Sequence, residues 1–468
     1  MTENKEPTPS KNVVMFIAAL ASFLTPFMAS SINTALKAMG SEFGVGTIYL
    51  SWIATSYILA AAVFLVPFGR LADIYGRKRL FIIGMITYSL ASLLIGLSTS
   101  AGMVIAFRVL QGIGGSMMFG TGIAILTSVF PPHERGKALG INTAAVYLGL
   151  SLGPFVGGVL TEHMGWRYIF FLNVPAGIIV LLLTFWKLKG EWAGARGERF
   201  DLTGSLIYGG GVVSAMYGFT RLPDLLGIGL FTLGLLALAG FVLWELRVKS
   251  PVLDIDLFRK NQVFAFSNLA ALVNYLGSSS IAFLLSLYLL YVKGLPPTLA
   301  GLVLIAQPII MAVFSPIAGR LSDRFEPRVV ASIGMGITAL GLFFLVFVDD
   351  LKSVFYIIDC LLVLGFGLAL FSSPNTNAIM GSVERRSFGV ASATLATMRL
   401  SGQMLSMSLA TLILAIYIGH AQITEQNQGE FITAMRLAFG ISAALCVAGI
   451  FFSLRRGKMH AISNNDQG

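Results

Sequence analysis

The chain has 468 residues, of which 56% are hydrophobic and only 12% are charged, and its formal net charge is +10. A soluble domain carries about 25% charged residues, so this composition excludes an ordinary soluble protein and indicates one that spans a membrane. The positive charge does not indicate a nucleic-acid-binding protein, because the basic residues lie in short loops between apolar stretches. We therefore expect an all-α integral membrane protein whose surroundings are a lipid bilayer.

Fourteen apolar stretches that are long enough to cross a bilayer follow one another along the chain. A spanning helix needs roughly 20 apolar residues, and charges, prolines and glycines separate the stretches. The first stretch is too long for the apolar part of a cleavable signal peptide, so we expect it to be an uncleaved span. The predicted helices cover residues 13–32, 48–69, 80–98, 102–130, 136–161, 167–188, 202–220, 225–245, 262–292, 297–319, 328–348, 353–380, 387–418 and 432–454.

The distribution of lysine and arginine predicts the orientation of these helices. An even number of spans puts both termini on one side, and most of the 32 basic residues fall in loops on that side. Cytoplasmic loops carry such an excess, so we predict a multi-pass protein of the cell membrane with both termini in the cytoplasm. The basic loop residues on the other side are Lys37, Arg167, Arg221, Lys293, Lys352 and Arg436, and Arg108 and Arg399 fall inside spans.

A short charged motif occurs twice in the chain. Residues 69–73 read GRLAD and residues 319–323 read GRLSD, each after an apolar stretch that contains a proline. A Glu-Arg pair at 134–135 recurs at 384–385, with the same separation. Two charged loops repeated at one spacing indicate an internal duplication, and duplicated halves are typical of transporters that rock around a central site.

The duplication divides the chain into two bundles of six predicted helices. The two predicted helices between the bundles have no counterpart in either half and resemble an insertion. The predicted segments are a cytoplasmic tail at 1–12, the first bundle at 13–188, a polar cytoplasmic connector at 189–201, the two inserted helices at 202–245, a cytoplasmic linker at 246–261, the second bundle at 262–454 and a cytoplasmic tail at 455–468.

Residues that membrane enzymes and ATP-driven pumps need are missing from the sequence. Both cysteines, Cys360 and Cys446, lie in apolar stretches, and the four histidines are scattered over loops and the tail. The sequence has no His-Glu-x-x-His motif and no Walker A glycine loop. We therefore expect no catalytic residues, no metal and no cofactor. We expect a transporter of a small-molecule substrate that functions as a monomer.

Two charges lie at similar depths in the fourth predicted helix of each half. Arg108 follows Gly69 at almost the same distance in the chain as Asp359 follows Gly319. A charge inside a membrane is costly and marks a functional site by default. Asp359 is the only carboxylate well inside a predicted span, so it is our candidate for proton coupling. The alternatives are a structural partner role for Asp359 and snorkelling to the outer surface for Arg108.

Polar residues within the predicted spans are candidates for a substrate cavity. A polar side chain that faces lipid is costly, so we expect these residues to face the bundle interior. For any one of them, a contact between helices is as good an explanation as contact with substrate. The candidates are Asn33, Tyr57, Gln111, Asn142, Asn274, Gln307, Asn375 and Arg399, with Asn268, Tyr275, Asn377 and Gln403 as further members.

Three motifs in order resemble the signatures of the major facilitator superfamily. Residues 69–78 (GRLADIYGRK) resemble its loop between helices 2 and 3, residues 108–115 (RVLQGIGG) resemble its helix 4 signature, and residues 149–158 (GLSLGPFVGG) resemble its helix 5 antiporter signature. The resemblance extends to the fourteen-helix branch of multidrug efflux antiporters. It implies a major facilitator-like fold with 14 transmembrane helices as 6+2+6. It also implies a secondary active, proton-coupled exporter of amphipathic molecules that works by alternating access.

The first charged motif is predicted to act as a conformational latch. Glycine suits points where the backbone bends or approaches a neighbour, and a carboxylate at a helix junction can cap another helix. The resemblance implies that Asp73 holds the cytoplasmic side against the start of the thirteenth predicted helix, near Ser387 and Gly389. The second copy lacks the following glycine, so we expect a weaker latch there. The latch candidates are Gly69, Arg70, Asp73, Gly76, Arg77 and Asp323.

Small residues along the fifth predicted helix suit close helix packing. They let two backbones approach in lipid, and a proline among them can kink the helix. The resemblance implies that the neighbour is the tenth predicted helix, at 297–319. The packing candidates are Gly149, Gly153, Pro154, Gly157 and Gly158.

One departure from the family pattern bears on proton coupling. The first helix of the fourteen-helix branch often carries an aspartate a few residues before an Asn-x-Ala-Leu-Pro run. Here the run begins at Asn33, Lys37 replaces the proline, and Met28 stands where that aspartate is expected. The missing acid favours an alternative function, a facilitator or lipid-type translocator of the same fold without proton coupling.

Overall fold

The computed structural model describes residues 10–45, 47–221, 224–253, 255–295, 297–418 and 426–457, and these form helices and loops with no strand. Most of both predicted tails, residues 1–9 and 458–468, lies outside this part of the chain. The helices of the first half and of the insertion are α1 (Lys11–Phe43), α2 (Thr47–Tyr75), α3 (Arg77–Gly96), α4 (Ala101–Val129), α5 (Pro132–His163), α6 (Arg167–Lys187), α7 (Leu202–Thr220) and α8 (Leu225–Glu245).

The second half contains nine helices within the described residues. They are α9 (Asp256–Lys260), α10 (Gln262–Ser278), α11 (Ile281–Leu287), α12 (Pro297–Leu304), α13 (Ala306–Arg324), α14 (Pro327–Leu345), α15 (Val354–Gly381), α16 (Phe388–Ile418) and α17 (Gln428–Arg455). A π-helical turn at Tyr288–Val292 continues α11, and a 3₁₀ turn at Arg385–Ser387 precedes α16. The linker predicted at 246–261 contains the short helix α9.

Thirteen helical stretches of the described chain are long and apolar enough to cross a membrane. This confirms an all-helical membrane fold. Helix α7 coincides with the seventh predicted span and packs along α8. Its 19 residues include several glycines and tyrosines in place of aliphatic side chains, so it is less apolar than those thirteen stretches.

Two predicted spans of the second half are interrupted. The ninth, predicted as 262–292, breaks after Ser278, where the hydroxyl groups of Ser278 and Ser279 bond to carbonyl oxygens one turn earlier, at 2.7 and 2.6 Å. Such bonds compete with the helical ladder and bend helices. The tenth breaks near Ile305, because Pro308 has no N–H to donate to the carbonyl of Leu304, where α12 ends.

The described residues form two compact units, each of which contains segments from both halves of the sequence. The first unit comprises Met1–Pro131, Leu148–Asn261 and Val383–Thr397, and the second comprises Pro132–Tyr147, Gln262–Ser382 and Met398–Gly468. Helices α5 and α16 are therefore each divided between the units. The six-helix bundles predicted at 13–188 and 262–454 remain a prediction.

Each unit is built from long helices that pack side by side. In the first unit, α4 packs against α1, α2 and α3, α6 packs against α1 and α3, and α7 contacts α2. In the second unit, α15 packs against α13 and α14, and α17 packs against α10 and α14. The core of the second unit is mainly aliphatic and includes the fully buried Leu342, Leu345, Leu361 and Leu364, with aromatic residues such as Phe431 among them.

Candidate functional site

The first charged motif forms the junction between α2 and α3. Gly76, with φ +116°, makes the turn in a backbone conformation that L side chains rarely adopt. Asp73 is completely buried one turn earlier and accepts hydrogen bonds from Arg77, from Nε at 3.0 Å and from Nη2 at 2.6 Å. The junction therefore holds a buried carboxylate whose Oδ1 accepts two charge-assisted hydrogen bonds from one guanidinium, which makes a strong pair.

The carboxylate of Asp73 also caps the start of α16. It accepts the backbone N–H of Gly389 at 2.9 Å and of Val390 at 3.0 Å, which are donors that a helix leaves unpaired at its first turn. The approach is close, because a Cβ at position 69 would lie 2.7 Å from the Gly389 carbonyl oxygen. Arg77 also donates to the carbonyl oxygen of Arg385. The structure thus places Gly69, Asp73 and Arg77 together at the position that the sequence indicated.

The connector after α6 wraps this junction, which the sequence did not predict. The backbone N–H of Ala195 donates to the carbonyl oxygen of Asp73 at 2.9 Å, and that of Arg77 donates to Trp192 at 3.0 Å. Glu191 caps α3 by accepting the N–H of Lys78 at 2.8 Å. Because the segment is polar and lies between two apolar stretches, it resembled a simple linker. The acidic residues Glu191 and Glu198 of the connector were the sequence feature that could have indicated a contact with the basic motif at 69–78.

Arg70, the remaining charged latch candidate, pairs with this connector. Its Nη2 lies 2.5 Å from Oε2 of Glu198, and the Arg70 side chain is mostly buried. Arg70 therefore ties α2 to the connector, whereas Asp73 and Arg77 bind the start of α16. The first motif joins three parts of the chain that are distant in sequence.

The second copy of the motif makes the same kind of cap. Asp323 is half-buried and accepts the backbone N–H of Gly136 at 2.7 Å and of Lys137 at 2.9 Å, at the start of α5. Pro327 takes the place that Arg77 has in the first copy, so no arginine pairs with Asp323 among the described residues. The two copies therefore share the helix cap and differ in the buried ion pair.

Arg108 is fully buried in α4, and two of its three guanidinium nitrogens donate hydrogen bonds. Its Nε donates to the carbonyl oxygen of Ile53 at 3.1 Å, and its Nη1 donates to Oε1 of Gln111 at 2.6 Å. Gln111 in turn donates to Ser92 at 2.7 Å. The guanidinium carbon lies 4.7 Å from the ring centroid of Tyr57, a cation–π contact. Three of the predicted residues therefore belong to one buried network.

Asp359 has a different environment from Arg108. Its side chain is exposed in the second turn of α15, on the same face as Phe355 and Leu362, which are also exposed. The two charges that the repeat spacing pairs thus lie at similar depths of corresponding helices, one buried with polar partners and one exposed. Neither of them forms a salt bridge with another described residue.

Arg399 lies in the middle of α16 and is half-buried. The guanidinium carbon is 5.2 Å from the ring centroid of Tyr275, so the side chain stacks on that ring. The hydroxyl group of Tyr275 lies 3.5 Å from Oγ of Ser372, and Tyr147 is within hydrogen-bonding reach of both groups. Arg399 and Tyr275 are separate cavity candidates in the sequence, and nothing in the sequence indicates that Tyr147 lies beside them.

The other cavity candidates are dispersed over the fold. Asn142 and Asn274 are buried, and Gln307 is half-buried in α13. Neither amide atom of Asn274 has a hydrogen-bond partner among the described residues. The side chain of Asn33, a candidate in α1, lies outside the described part of the chain.

Asn375 forms a hydrogen bond with Arg456, a buried arginine just beyond the end of α17. Its Oδ1 accepts from Nη1 of Arg456 at 2.7 Å, and its Nδ2 donates to the Ser267 carbonyl oxygen at 3.1 Å. Burial, reinforced by repulsion from Arg328, lowers the pKa of Arg456 to about 9. Arg456 is still protonated at neutral pH, so its buried charge needs neutral acceptors. These are Oδ1 of Asn375 and Oγ of Ser267, the latter at 3.1 Å.

The small residues of α5 pack against α1. A Cβ at position 149 would lie 2.5 Å from the Phe23 carbonyl oxygen, and one at position 157 would lie 2.9 Å from Cβ of Ser31. Gly153 is equally close, and its carbonyl oxygen accepts a hydrogen bond from Ser31 at 2.9 Å. The prediction that the tenth helix is the neighbour of these glycines is wrong.

Gly158 of α5 does not take part in this packing. A Cβ at position 158 would meet nothing within 4 Å. Pro154 lies within α5. The predicted neighbour, the tenth helix, instead meets α5 near its start, where a Cβ at Gly140 would lie 2.5 Å from the Ser315 carbonyl oxygen.

Comparison with protein families supports this reading of the fold. Residues 18–246 and 268–467 match the model of the Major Facilitator Superfamily. The match covers both predicted six-helix halves and includes the inserted helices α7 and α8.

Two curated relatives cover most of the chain. The chain is 29% identical over 452 residues to "Riboflavin transporter RibZ" of Clostridioides difficile (strain 630), covering 95% of this chain and 97% of the relative. It is 30% identical over 412 residues to "Multidrug resistance protein Stp" of Mycobacterium tuberculosis (strain CDC 1551 / Oshkosh), covering 87% of this chain and 76% of the relative.

Solved structures share the fold at low sequence identity. The human organic anion transporter MFSD10 (TETRAN) aligns with a TM-score of 0.68 and 12% identity, over 95% of this chain and 100% of that one. A double tryptophan mutant of XylE aligns with a TM-score of 0.68 and 15% identity, over 96% of each chain.

Proposed function

Because the chain belongs to the major facilitator superfamily, a family of membrane transporters, we propose that it is a proton-coupled exporter. Its substrates are amphipathic small molecules or drugs, and it works by alternating access as a secondary active transporter. The two relatives are named for riboflavin transport and multidrug resistance, which supports a substrate of this size and chemistry. The protein acts as a monomer in the cell membrane.

Two helix caps, each formed between the first and the second half of the sequence, support the proposal of alternating access. Asp73, from the first half of the sequence, caps α16 from the second half, and Asp323, from the second half, caps α5 from the first. Each cap consists of hydrogen bonds between a carboxylate and two backbone N–H groups. Such bonds can break and re-form as a unit when the halves rock, so the duplicated motif is suited to a two-state latch.

The proposed membrane topology is 14 helices arranged as 6+2+6, with both termini in the cytoplasm. Helix α7 is as long as the 19-residue span α14, and its side-by-side packing on α8 supports a pair of spans that crosses the membrane and returns. With this number of spans, both copies of the charged motif lie on the side of the termini. That is also the side that carries most of the lysine and arginine.

Asp359 is the proposed site of proton coupling. It is a carboxylate in the second turn of the spanning helix α15, near the end of the span, and it is not buried within the protein. The buried Arg108 is held by neutral partners and would act by its fixed charge. Protonation and deprotonation of Asp359 would thus change the net charge of the intramembrane region during each transport cycle.

An alternative function is a facilitator or lipid-type translocator without proton coupling. One observation favours it: Met28, at the position where an acid is expected, is fully buried, and the Nδ2 of Asn173 lies 3.0 Å from its sulfur. This position in α1 therefore carries no titratable group.

Transport in proteoliposomes separates the two functions. Uptake of riboflavin, rhodamine 123 and fluorescein is measured with and without an imposed pH gradient, for the wild type and for Asp359→Asn. We expect at least one dye to accumulate several-fold more with the gradient, and Asp359→Asn to abolish the difference. Asp350→Asn, which changes an exposed carboxylate in the loop before α15, is the matched control. Flux that is independent of the gradient and unchanged in Asp359→Asn would establish the alternative.

A further inference from the structure

Arg399 is an intramembrane cation for which the described part of the chain supplies no counter-ion. It lies eleven residues after the start of α16 at Phe388, or about 16 Å along the helix at 1.5 Å per residue. No carboxylate forms a salt bridge with it among the described residues, and its electrostatic neighbours there are two tyrosines, Tyr147 and Tyr275. Charges inside a membrane are usually paired with an opposite charge or lie on the path of a substrate.

The donors of Arg399 are available to a ligand. The side chain is half-buried, and it forms no hydrogen bond to a protein group within the described residues. One face of the guanidinium is covered by the ring of Tyr275 at 5.2 Å. The planar edge with its N–H groups is left for a partner, and that edge matches a carboxylate or another planar anion in a bidentate geometry.

Arg108 is an intramembrane arginine of the same protein whose guanidinium has hydrogen-bond partners, and it serves as a comparison for Arg399. It is fully buried, it donates to Ile53 and Gln111, and it stacks on Tyr57. Arg399 also stacks on a tyrosine, but it has no such hydrogen bonds to the described residues and is only half-buried. The stacking therefore orients Arg399 without satisfying its donors.

Polar groups on neighbouring helices lie near the guanidinium of Arg399. The hydroxyl groups of Tyr275 and Ser372 lie 3.5 Å apart, with Tyr147 of α5 in hydrogen-bonding reach of both. The residue before Tyr275, Asn274, is buried and both of its amide atoms lack partners within the described chain. Buried amides without partners are rare unless water or a ligand completes them.

We propose that Arg399, Tyr275, Tyr147 and Ser372 form a subsite for an aromatic anion, so that the preferred substrates are amphipathic anions. The guanidinium edge binds the acidic group, and the tyrosines provide an aromatic surface for the ring system. This inference rests on the proposed transport function, because it assigns the substrate class of the same protein. It concerns charge selectivity and does not depend on proton coupling.

A matched pair of dyes tests the inference through binding. Fluorescein and rhodamine 123 share a xanthene ring system but carry opposite charges. Their binding to the purified full-length protein in detergent is measured by fluorescence anisotropy. We expect fluorescein to bind at least tenfold more tightly than rhodamine 123. A hydrogen bond to a charged group accounts for about 10- to 100-fold in affinity, so Arg399→Gln should weaken fluorescein binding by that factor.

Further variants separate loss of the anion contact from loss of folding. Arg399→Lys keeps the charge but not the planar edge, so it should retain part of the affinity for fluorescein. Tyr275→Phe keeps the stacking ring and loses only the hydroxyl group, so it should weaken fluorescein binding less than Tyr275→Leu, which removes the ring and should bind several-fold more weakly. Arg436→Gln is the matched control, since it removes one positive charge elsewhere in the second unit, from a residue that pairs with Asp349.

The outcomes distinguish this inference from the proposed function. Tighter binding of rhodamine 123 than of fluorescein, or equal losses for both dyes in Arg399→Gln, would overturn the anion subsite. Unaltered fluorescein binding in Arg399→Gln would overturn it as well. If fluorescein binding shows the expected pattern but proteoliposomes transport no dye, the subsite stands and the transport proposal fails.

Discussion

Asp73 is held by two kinds of donor that contribute differently to its role. Its carboxylate accepts two backbone N–H groups at the start of α16, and the guanidinium of Arg77 neutralises it in a fully buried setting. Asp323 has the cap but no arginine, and it is half-buried. The weaker role predicted for the second copy stays a prediction. Both copies form the helix cap, so the physical difference between them is the arginine: Arg77 pairs with Asp73, and no described arginine pairs with Asp323.

Neutralising each carboxylate tests this difference. Asp73→Asn leaves Arg77 buried without a counter-charge, and breaking a buried ion pair in this way costs about 3–5 kcal/mol. Asp323→Asn weakens only a half-buried cap, which contributes about 1 kcal/mol. We expect the initial rate of dye transport in proteoliposomes to fall at least tenfold for Asp73→Asn and no more than about fivefold for Asp323→Asn. Equal effects of the two variants would contradict this account.

At the residue scale, the sequence predicted positions better than partners. The repeat located Asp73 and the start of the helix that it contacts, because a motif that resembles a family signature carries that information. It did not indicate that Arg108 bonds to Gln111 and stacks on Tyr57, since such contacts depend on how helices rotate about their axes. Pattern alone cannot determine that rotation in a helix that is apolar on all sides.

At the scale of helices, the contact between α5 and α1 depends on glycines that face the neighbour. Gly149→Ala would place a methyl group 2.5 Å from the Phe23 carbonyl oxygen, and overpacking of this kind costs about 1–3 kcal/mol. We expect the melting temperature of the purified protein to fall by several degrees. Gly158→Ala is the matched control, because its methyl group meets nothing within 4 Å. Destabilisation by both variants alike would show that the glycines act through the backbone rather than through this contact.

The connector between α6 and α7 stabilises the start of α3. Glu191 accepts the backbone N–H groups of Lys78 at 2.8 Å and Arg79 at 3.2 Å. Loss of such a cap costs about 1 kcal/mol, so Glu191→Ala should lower the melting temperature by a few degrees. Glu162→Ala, which removes an exposed carboxylate, should leave it unchanged. A Glu191→Ala protein as stable as the wild type would mean that the connector does not support this junction.

Helix positions were predictable from the sequence, but breaks within helices were not. Runs of about 20 apolar residues identify spans, because only helices satisfy their backbone groups in lipid. The interruptions near Ser278 and Ile305 fall inside such runs. They arise from serine hydroxyls and a proline, which break a ladder in one context and are tolerated in another. The eleven-residue extension of α1 beyond its predicted end at residue 32 has a different cause, since a helix can continue outside the apolar run.

At the scale of the whole molecule, the topology can be tested with three single cysteines. Arg196 precedes α7, Arg221 lies between α7 and α8, and Lys249 follows α8, and all three are exposed. If both helices span the membrane, a membrane-impermeant maleimide added to intact cells should label Arg221→Cys only. In permeabilised cells it should label all three variants. Labelling of Arg196→Cys together with Arg221→Cys would show that α7 does not cross the membrane.

Proton coupling is the central claim about the whole molecule, and lumenal pH tests it most directly. Proteoliposomes that contain the pH-sensitive dye pyranine receive an inward gradient of riboflavin or fluorescein, whichever the protein transports. An antiporter must release protons as substrate enters, so the account predicts a rise in lumenal pH that is absent in Asp359→Asn and in protein-free liposomes. Substrate entry at wild-type rates without a change in lumenal pH would contradict it.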